Sequence, residues 1–152
     1  MAAIGQRVQL GRAESLRLLR TVPYGRVVFT AGALPAVRLA SHLADGEQIV
    51  ICASLGPAVN PGPDGTSPVV AYEADLVDAA QRSGWSVVVV GRAALVADEE
   101  LAARYREALG PAWAEEQASQ VVTITAELVS GYLMNSGPGE AAATAGPPVL
   151  TG

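Results

Sequence analysis

VVAYEAD (69–75), followed closely by GWSVVVVGRAALVAD (84–98), is the stretch of this chain from which its fold can be read. The first segment is rich in β-branched and aromatic residues between turn signals, which is the composition of a strand. The second is longer and apolar at both alternating sets of positions, so it belongs inside a sheet with both faces covered. Gly91 in its middle predicts a bulge or bend of the kind that barrel strands need.

Working outward, GRVVFTA (25–31) has the same strand character. A further strand runs over about 35–44, reaches Asp45-Gly46 and returns as EQIVICA (47–53). Asp-Gly between apolar runs is a strong hairpin signal, because a type I′ turn needs positive φ at both central residues. SLGPAVNPGPDGTSP (54–68) is too dense in Gly and Pro for regular structure. RAESLRLLRT (12–21) predicts a short amphipathic helix stopped by Pro23, and DEELAARYREAL (98–109) a second, opened by acidic residues and closed by Gly110-Pro111. SQVVTITA (119–126) reads as the last strand, with a short turn over 127–131. Residues 1–10 carry little signal.

From Asn135 onward, NSGPGEAAATAGPPVLTG is low in complexity. The expected organisation is therefore one domain over 1–134 and a flexible Ala/Gly/Pro-rich tail over 135–152. About six strands joined mostly by short connections do not alternate with helices as a parallel sheet would. The pattern predicts a mainly β fold with peripheral helices, an antiparallel barrel.

Composition removes several functions. The ten basic residues are all arginine, against fifteen acids, for a formal net charge of -5. Without lysine no Schiff base forms on the protein and no P-loop exists. An acidic chain without a basic cluster is a poor partner for nucleic acid. One cysteine, Cys52, precludes an internal disulfide, and one histidine, His42, precludes a His/Cys zinc cluster within the chain. No secretory leader pattern opens the sequence and no apolar run reaches ~18 residues. The expectation is a cytoplasmic protein with no membrane association and no metal.

A two-residue turn at Asp45-Gly46 sets Ala44 opposite Glu47, Leu39 opposite Cys52, Arg38 opposite Ala53 and Val37 opposite Ser54. Period-two alternation then puts Arg38, Ala40 and His42 on one face with Ile49 and Ile51, and Ser41, Cys52 and Ser54 on the other. A charge among apolar neighbours on a strand marks Arg38 either as an anion-binding group at a site mouth or as half of an ion pair, within the chain or across a dimer. His42 reads either as a ligand or proton-relay group or as a satisfied, part-buried polar residue. Ser54, beside the N–H groups of a Gly-containing turn, reads as part of an anion nest or as a turn-forming serine. Trp85 reads as a ring-stacking residue or a core anchor. Cys52 has no basic neighbour along its strand and reads as a small buried hydrophobe. Glu99/Glu100 and Glu115/Glu116 read as solvated faces, and no Gly-x-Ser-x-Gly elbow accompanies His42.

The order of these pieces, above all VVAYEADLVD followed by GWSVVVVGRA and closed by VVTITAELVSGY, resembles the pyridoxamine 5′-phosphate oxidase-like proteins of actinobacteria over roughly 13–133. The resemblance implies an FMN-binding split barrel that pairs into a homodimer with its flavin at the interface, and an FMN-dependent oxidoreductase acting on a small-molecule substrate. It implies that Arg38 and Ser54 hold the phosphate, Ser41 and His42 the polar edge of the flavin, and Trp85 a ring face. The family's Arg-Pro-Val-Asn strand motif stands here as Arg38-Leu39-Ala40-Ser41-His42. The lysine that often follows the Ser/Thr turn is absent from Ala53-Ser54-Leu55-Gly56-Pro57-Ala58-Val59, which predicts a weakened phosphate site. The alternative is a non-catalytic dimer of the same fold binding flavin, deazaflavin or another small metabolite.

Overall fold

Gly91 is the point at which one strand changes partners, and the architecture follows from it. A computed structural model describes residues 5–111 and 119–135, so the tail expected over 135–152, all but its first residue Asn135, and Glu115/Glu116 lie outside the described residues. The elements in chain order are β1 (Gln6–Leu10), α1 (Arg12–Leu19), β2 (Tyr24–Ala31), β3 (Leu34–Asp45), β4 (Gln48–Ala53), a 3-10 turn (Gly56–Val59), β5 (Val69–Asp78), β6 (Ser83–Leu95), α2 (Glu99–Leu109), β7 (Gln120–Thr125) and β8 (Leu128–Asn135). Before Gly91, β6 lies between β5 and β8; beyond it, Ala93–Leu95 pair with β7 instead. A Cβ on Gly91 would stand 1.6 Å from the carbonyl oxygen of Thr125, so only glycine permits this crossing.

All pairings are antiparallel, in the order β1-β8-β6-β5-β2-β3-β4-β7, and the β6–β7 contact closes six of the strands into a ring. This is the split β-barrel expected from the sequence. The closed ring β6-β5-β2-β3-β4-β7 encloses the core, and β8 with β1 extends the edge that β6 leaves open. Val27, Ile49, Ile51, Tyr72, Val87, Val89, Val122 and Ile124 fill the interior and are all but fully buried. Leu19 of α1 is buried with them, and Ser15 packs its hydroxyl against Gly131 of β8. Asp98 caps α2 by accepting from the N–H groups of Glu100 and Leu101. That helix lies over β3, β4 and β7, where Tyr105 donates to Asp45 at 2.7 Å.

Four details of the sequence reading are corrected. Among the described residues eight strands form rather than about six. β1 was without signal because its residues are mostly exposed on an edge strand, and β8 looked like a turn because of Ser130 and Gly131. The hairpin turn is centred on Gly46-Glu47, one residue later than expected, with Asp45 opposite Gln48. Gly46 has φ 60° while Glu47 is not in the positive region, the pattern of a II′ rather than a I′ turn. The segment 54–68 is not wholly irregular, since Gly56–Val59 winds a 3-10 turn that buries Val59. The later turn moves every β3–β4 pairing by two residues, which leaves the assignment of faces intact.

Candidate functional site

β3 is longer than its partners, and that excess creates the site. Its pairing with β4 runs only from Asp45 to Ser41, opposite Cys52. From Ser41 back to Leu34 it is held by β2 alone. The two walls of the barrel therefore separate beyond Ser41 and Cys52, with Arg38 on one and Ser54 on the other.

Arg38 lies opposite Val27 on the inward-facing side of β3, but the missing neighbour strand leaves it exposed. Its guanidinium sits 5.5 Å from the centre of the Phe29 ring, and Nη1 donates to the carbonyl of Val37 at 2.9 Å. Among the described residues no carboxylate lies within ion-pair distance of it. Among the described residues the ion-pair alternative for Arg38 is thus not realised.

The turn after β4 is shaped for an anion but is occupied by the protein itself. Leu55 is right-handed helical and Gly56 has φ 58°, the backbone sequence of an anion nest. Gln120 fills it: its Oε1 accepts from the Leu55 N–H at 2.9 Å and its Nε2 donates to the Gly56 carbonyl at 3.3 Å. Pro57 has no N–H to contribute. Gln120 was not singled out from sequence, because nothing in SQVVTITA shows that its first turn of strand reaches the segment after β4. Ser54 is half-buried at the end of β4, and Ser41 is half-buried on the outer face opposite Tyr24 and Cys52.

His42 and Trp85 stand apart from this opening. His42 is 8% exposed, with Nε2 2.8 Å from the carbonyl of Leu19 and Nδ1 2.6 Å from the hydroxyl of Tyr72. A carbonyl only accepts, so Nε2 carries the proton and Nδ1 accepts from the tyrosine. Burial lowers the His42 pKa from its ordinary value, against the opposing effect of the Leu19 and Val22 backbone bonds, and keeps the ring neutral. Both nitrogens are committed within the protomer, tying β3 to the end of α1. Trp85 is a core residue at 6% exposure, opposite Leu76 and Leu133. Cys52 does have a basic neighbour in space, Arg106 of α2, whose Nη1 lies 3.7 Å from the sulfur. Glu99 and Glu100 are exposed, as a solvated helix start should be.

A charged cluster that sequence reading passed over lies on the outer face of the sheet. Arg26 of β2 reaches Glu73 at 3.0 Å and Asp75 at 3.2 Å, both on β5. The two carboxylates are two residues apart and therefore on one face, and Arg26 is in register with Glu73. Burial pushes the Glu73 carboxyl up to about 7; a hydrogen bond and repulsion from Asp75 act the same way, and Arg26 opposes them. The signal was present in YEAD and GRVV, where period-two spacing aligns the acids, but only the β2–β5 register supplies the arginine.

Among the described residues no group of three or more His, Cys, Asp or Glu is placed to hold a metal, and no helix is long and apolar enough to cross a membrane.

The family model for pyridoxamine 5′-phosphate oxidase matches residues 11–133. An uncharacterised protein of Mycobacterium tuberculosis is 44% identical over 128 residues, covering 82% of this chain and 83% of that one. Among solved structures, a protein of Corynebacterium glutamicum assigned as a pyridoxamine 5′-phosphate oxidase superposes with a TM-score of 0.68 at 23% identity, over 86% of this chain and 95% of that one. An FAD-binding protein of Mesorhizobium loti superposes with a TM-score of 0.66 at 20% identity, over 87% and 99%. At these identities the two structures share the fold with this chain.

Proposed function

The chain belongs to the pyridoxamine 5′-phosphate oxidase family, and from that premise we propose that it is a flavoprotein: a cytoplasmic, FMN-dependent oxidoreductase for a small organic substrate, with its site at the interface of a homodimer. The observation that carries the reading is Arg38. It is a guanidinium at the mouth of the split, over the Phe29 ring, with no carboxylate within ion-pair distance among the described residues. A cation left in that state is suited to an anionic ligand with a planar ring system. The flavin binding of the structurally similar Mesorhizobium protein supports the same reading.

The donor set fits an anionic cofactor through Arg38 more than through backbone N–H groups. Arg38 and Ser54 hold the phosphate, and Ser41 on the outer face meets the polar edge of the flavin. His42 and Trp85 act from behind, the first by holding β3 against the end of α1, the second by packing the core under β6. When bound, the isoalloxazine supplies hydride and electron transfer, with a reduced nicotinamide as donor; the protein positions it and keeps water from it.

A specific observation favours a second reading. The nest at Leu55-Gly56 is filled by Gln120 and cut short by Pro57. A chain that closes its own phosphate turn suits a non-catalytic dimer for flavin, deazaflavin or another metabolite. Titration of flavin fluorescence tests the flavin binding that the first reading requires. The first reading expects saturable quenching by wild type at micromolar FMN and its loss in Arg38→Ala. No quenching at saturating FMN in either protein rejects it.

A further inference from the structure

α2 packs on β3, β4 and β7, and α1 meets β6 and β8 on the side of Gly131 and Val87, which leaves the opposite face of β2, β5 and β6 without a helix among the described residues. Across it runs one registered apolar row, Val37–Val28–Ala71–Val90–Leu128, one residue from each strand. Its ends are open to solvent, with Val37 54% and Leu128 68% exposed. The adjacent row is Leu39–Arg26–Glu73–Val88–Ser130, so the Arg26–Glu73–Asp75 cluster sits in the middle of this face.

The groups around Glu73 can be named strand by strand. β2 supplies Arg26, with Tyr24 beside it, and β5 supplies Asp75. β6 places Val88 opposite Glu73 and Ser86 opposite Asp75, neither of them charged. β3 offers Leu39 beyond Arg26, β8 offers Ser130 and, further along, Tyr132, and over the Tyr132 ring lies the Arg7 guanidinium of β1, 3.5 Å from its centre and outside ion-pair distance of either carboxylate. One guanidinium thus faces two carboxylates, and the ionised cluster carries a surplus negative charge.

A second copy of the chain is the occupant this face suits. In a two-fold pairing the same patch meets itself. A cluster holding both signs is self-complementary in such a pairing, because each arginine can approach the other chain's carboxylates. The surplus negative charges, however, also meet each other. One proton on each cluster removes the surplus, leaving one guanidinium to balance one carboxylate on either side.

We propose that the Arg26–Glu73–Asp75 cluster takes up a proton on each protomer as this face closes on a second copy, so that assembly is proton-linked. The inference rests on the homodimer proposed above and adds its control. The proton comes from solvent and is shared between the Glu73 and Asp75 carboxyls. Closure removes both from water, which disfavours their charged forms further. In the isolated chain burial and the neighbouring Asp75 already push the Glu73 carboxyl up to about 7.

The test is sedimentation equilibrium of the full chain at fixed ionic strength, at about pH 6 and about pH 8.5. If each carboxyl pair binds its proton tenfold more tightly in the dimer, the dimer Kd should be roughly a hundredfold smaller at the lower pH. Glu73→Gln should keep the tight constant at both pH values, and Asp75→Asn should do the same by a different route. Circular dichroism establishes that each variant is folded. A dimer whose Kd does not change with pH overturns the proton linkage and leaves the homodimer standing. A monomer at both pH values overturns both. PH dependence that persists unchanged in a folded Glu73→Gln variant also overturns it, by assigning the proton elsewhere.

Discussion

His42 and Tyr72 meet edge to face in the middle of the barrel, with imidazole Nδ1 2.6 Å from the phenol oxygen. The phenol also lies 3.0 Å from the carbonyl of Ala40, and the second ring nitrogen holds Leu19. One histidine therefore joins α1, β3 and β5. Removing it strands the buried Leu19 carbonyl and leaves the Tyr72 hydroxyl with the Ala40 carbonyl alone. His42→Ala should cost about 2–4 kcal/mol in urea unfolding and Tyr72→Phe about 1–3 kcal/mol.

His42 and Glu73 set a pH dependence whose sign can be worked out. His42 is depressed from its ordinary value of 6.5, so its contribution is full above 6.5 and is lost as pH falls through the depressed value. Glu73 is raised from 4.5 to about 7, so its contribution is full below 4.5 and is lost as pH rises through about 7. The two oppose each other between these values. His42→Gln should abolish the acid-side loss of stability while retaining the alkaline-side loss; urea midpoints measured across pH for both proteins check it.

Gly91→Ala should destabilise the chain by ~3 kcal/mol or more, because its new methyl group would meet the Thr125 backbone rather than a side chain that can move. Gly11→Ala, with nothing within 4 Å of the added carbon, should stay within about 0.5 kcal/mol of wild type. Equal unfolding midpoints for the two variants would contradict the crossing of β6 over the end of β7.

Most strands were legible because their signals are local. The alternation in VVAYEAD, the doubly apolar run through Val90 and the capped pattern of DEELAARYREAL each name their element without help from the rest of the chain. β1 and β8 were not legible, because QRVQL is stabilised by pairing and LVSGYLMN contains a glycine needed for the approach of Ser15. The faces of the β3–β4 hairpin were right although its turn was misplaced by one residue, since the register changed by two. The site was legible only in part. Arg38 at the open end of β3 could be anticipated from its apolar surroundings. The filling of the turn by Gln120, the contact of Arg106 with Cys52 and the union of Arg26 with Glu73 and Asp75 each join residues tens of positions apart, and period-two reasoning does not reach across such distances.

The turn after β4 carries its own prediction. Pro57→Ala returns an N–H to the Leu55-Gly56 nest, and a hydrogen bond to a phosphate contributes about 1.5–3 kcal/mol. FMN should gain roughly tenfold or more over riboflavin, which has no phosphate. Parallel titrations with the two flavins measure this ratio, and an unchanged ratio would place the phosphate elsewhere.

The central claim is that flavin is held where β3 and the turn after β4 part company, and backbone hydrogen exchange with and without FMN tests it most directly. FMN should slow exchange in 34–41 and 54–57, the two walls that carry Arg38 and Ser54, with a smaller effect on the outer face of β5. Protection confined instead to α1 and the Gly46-Glu47 turn, or no protection at saturating FMN, would contradict the account.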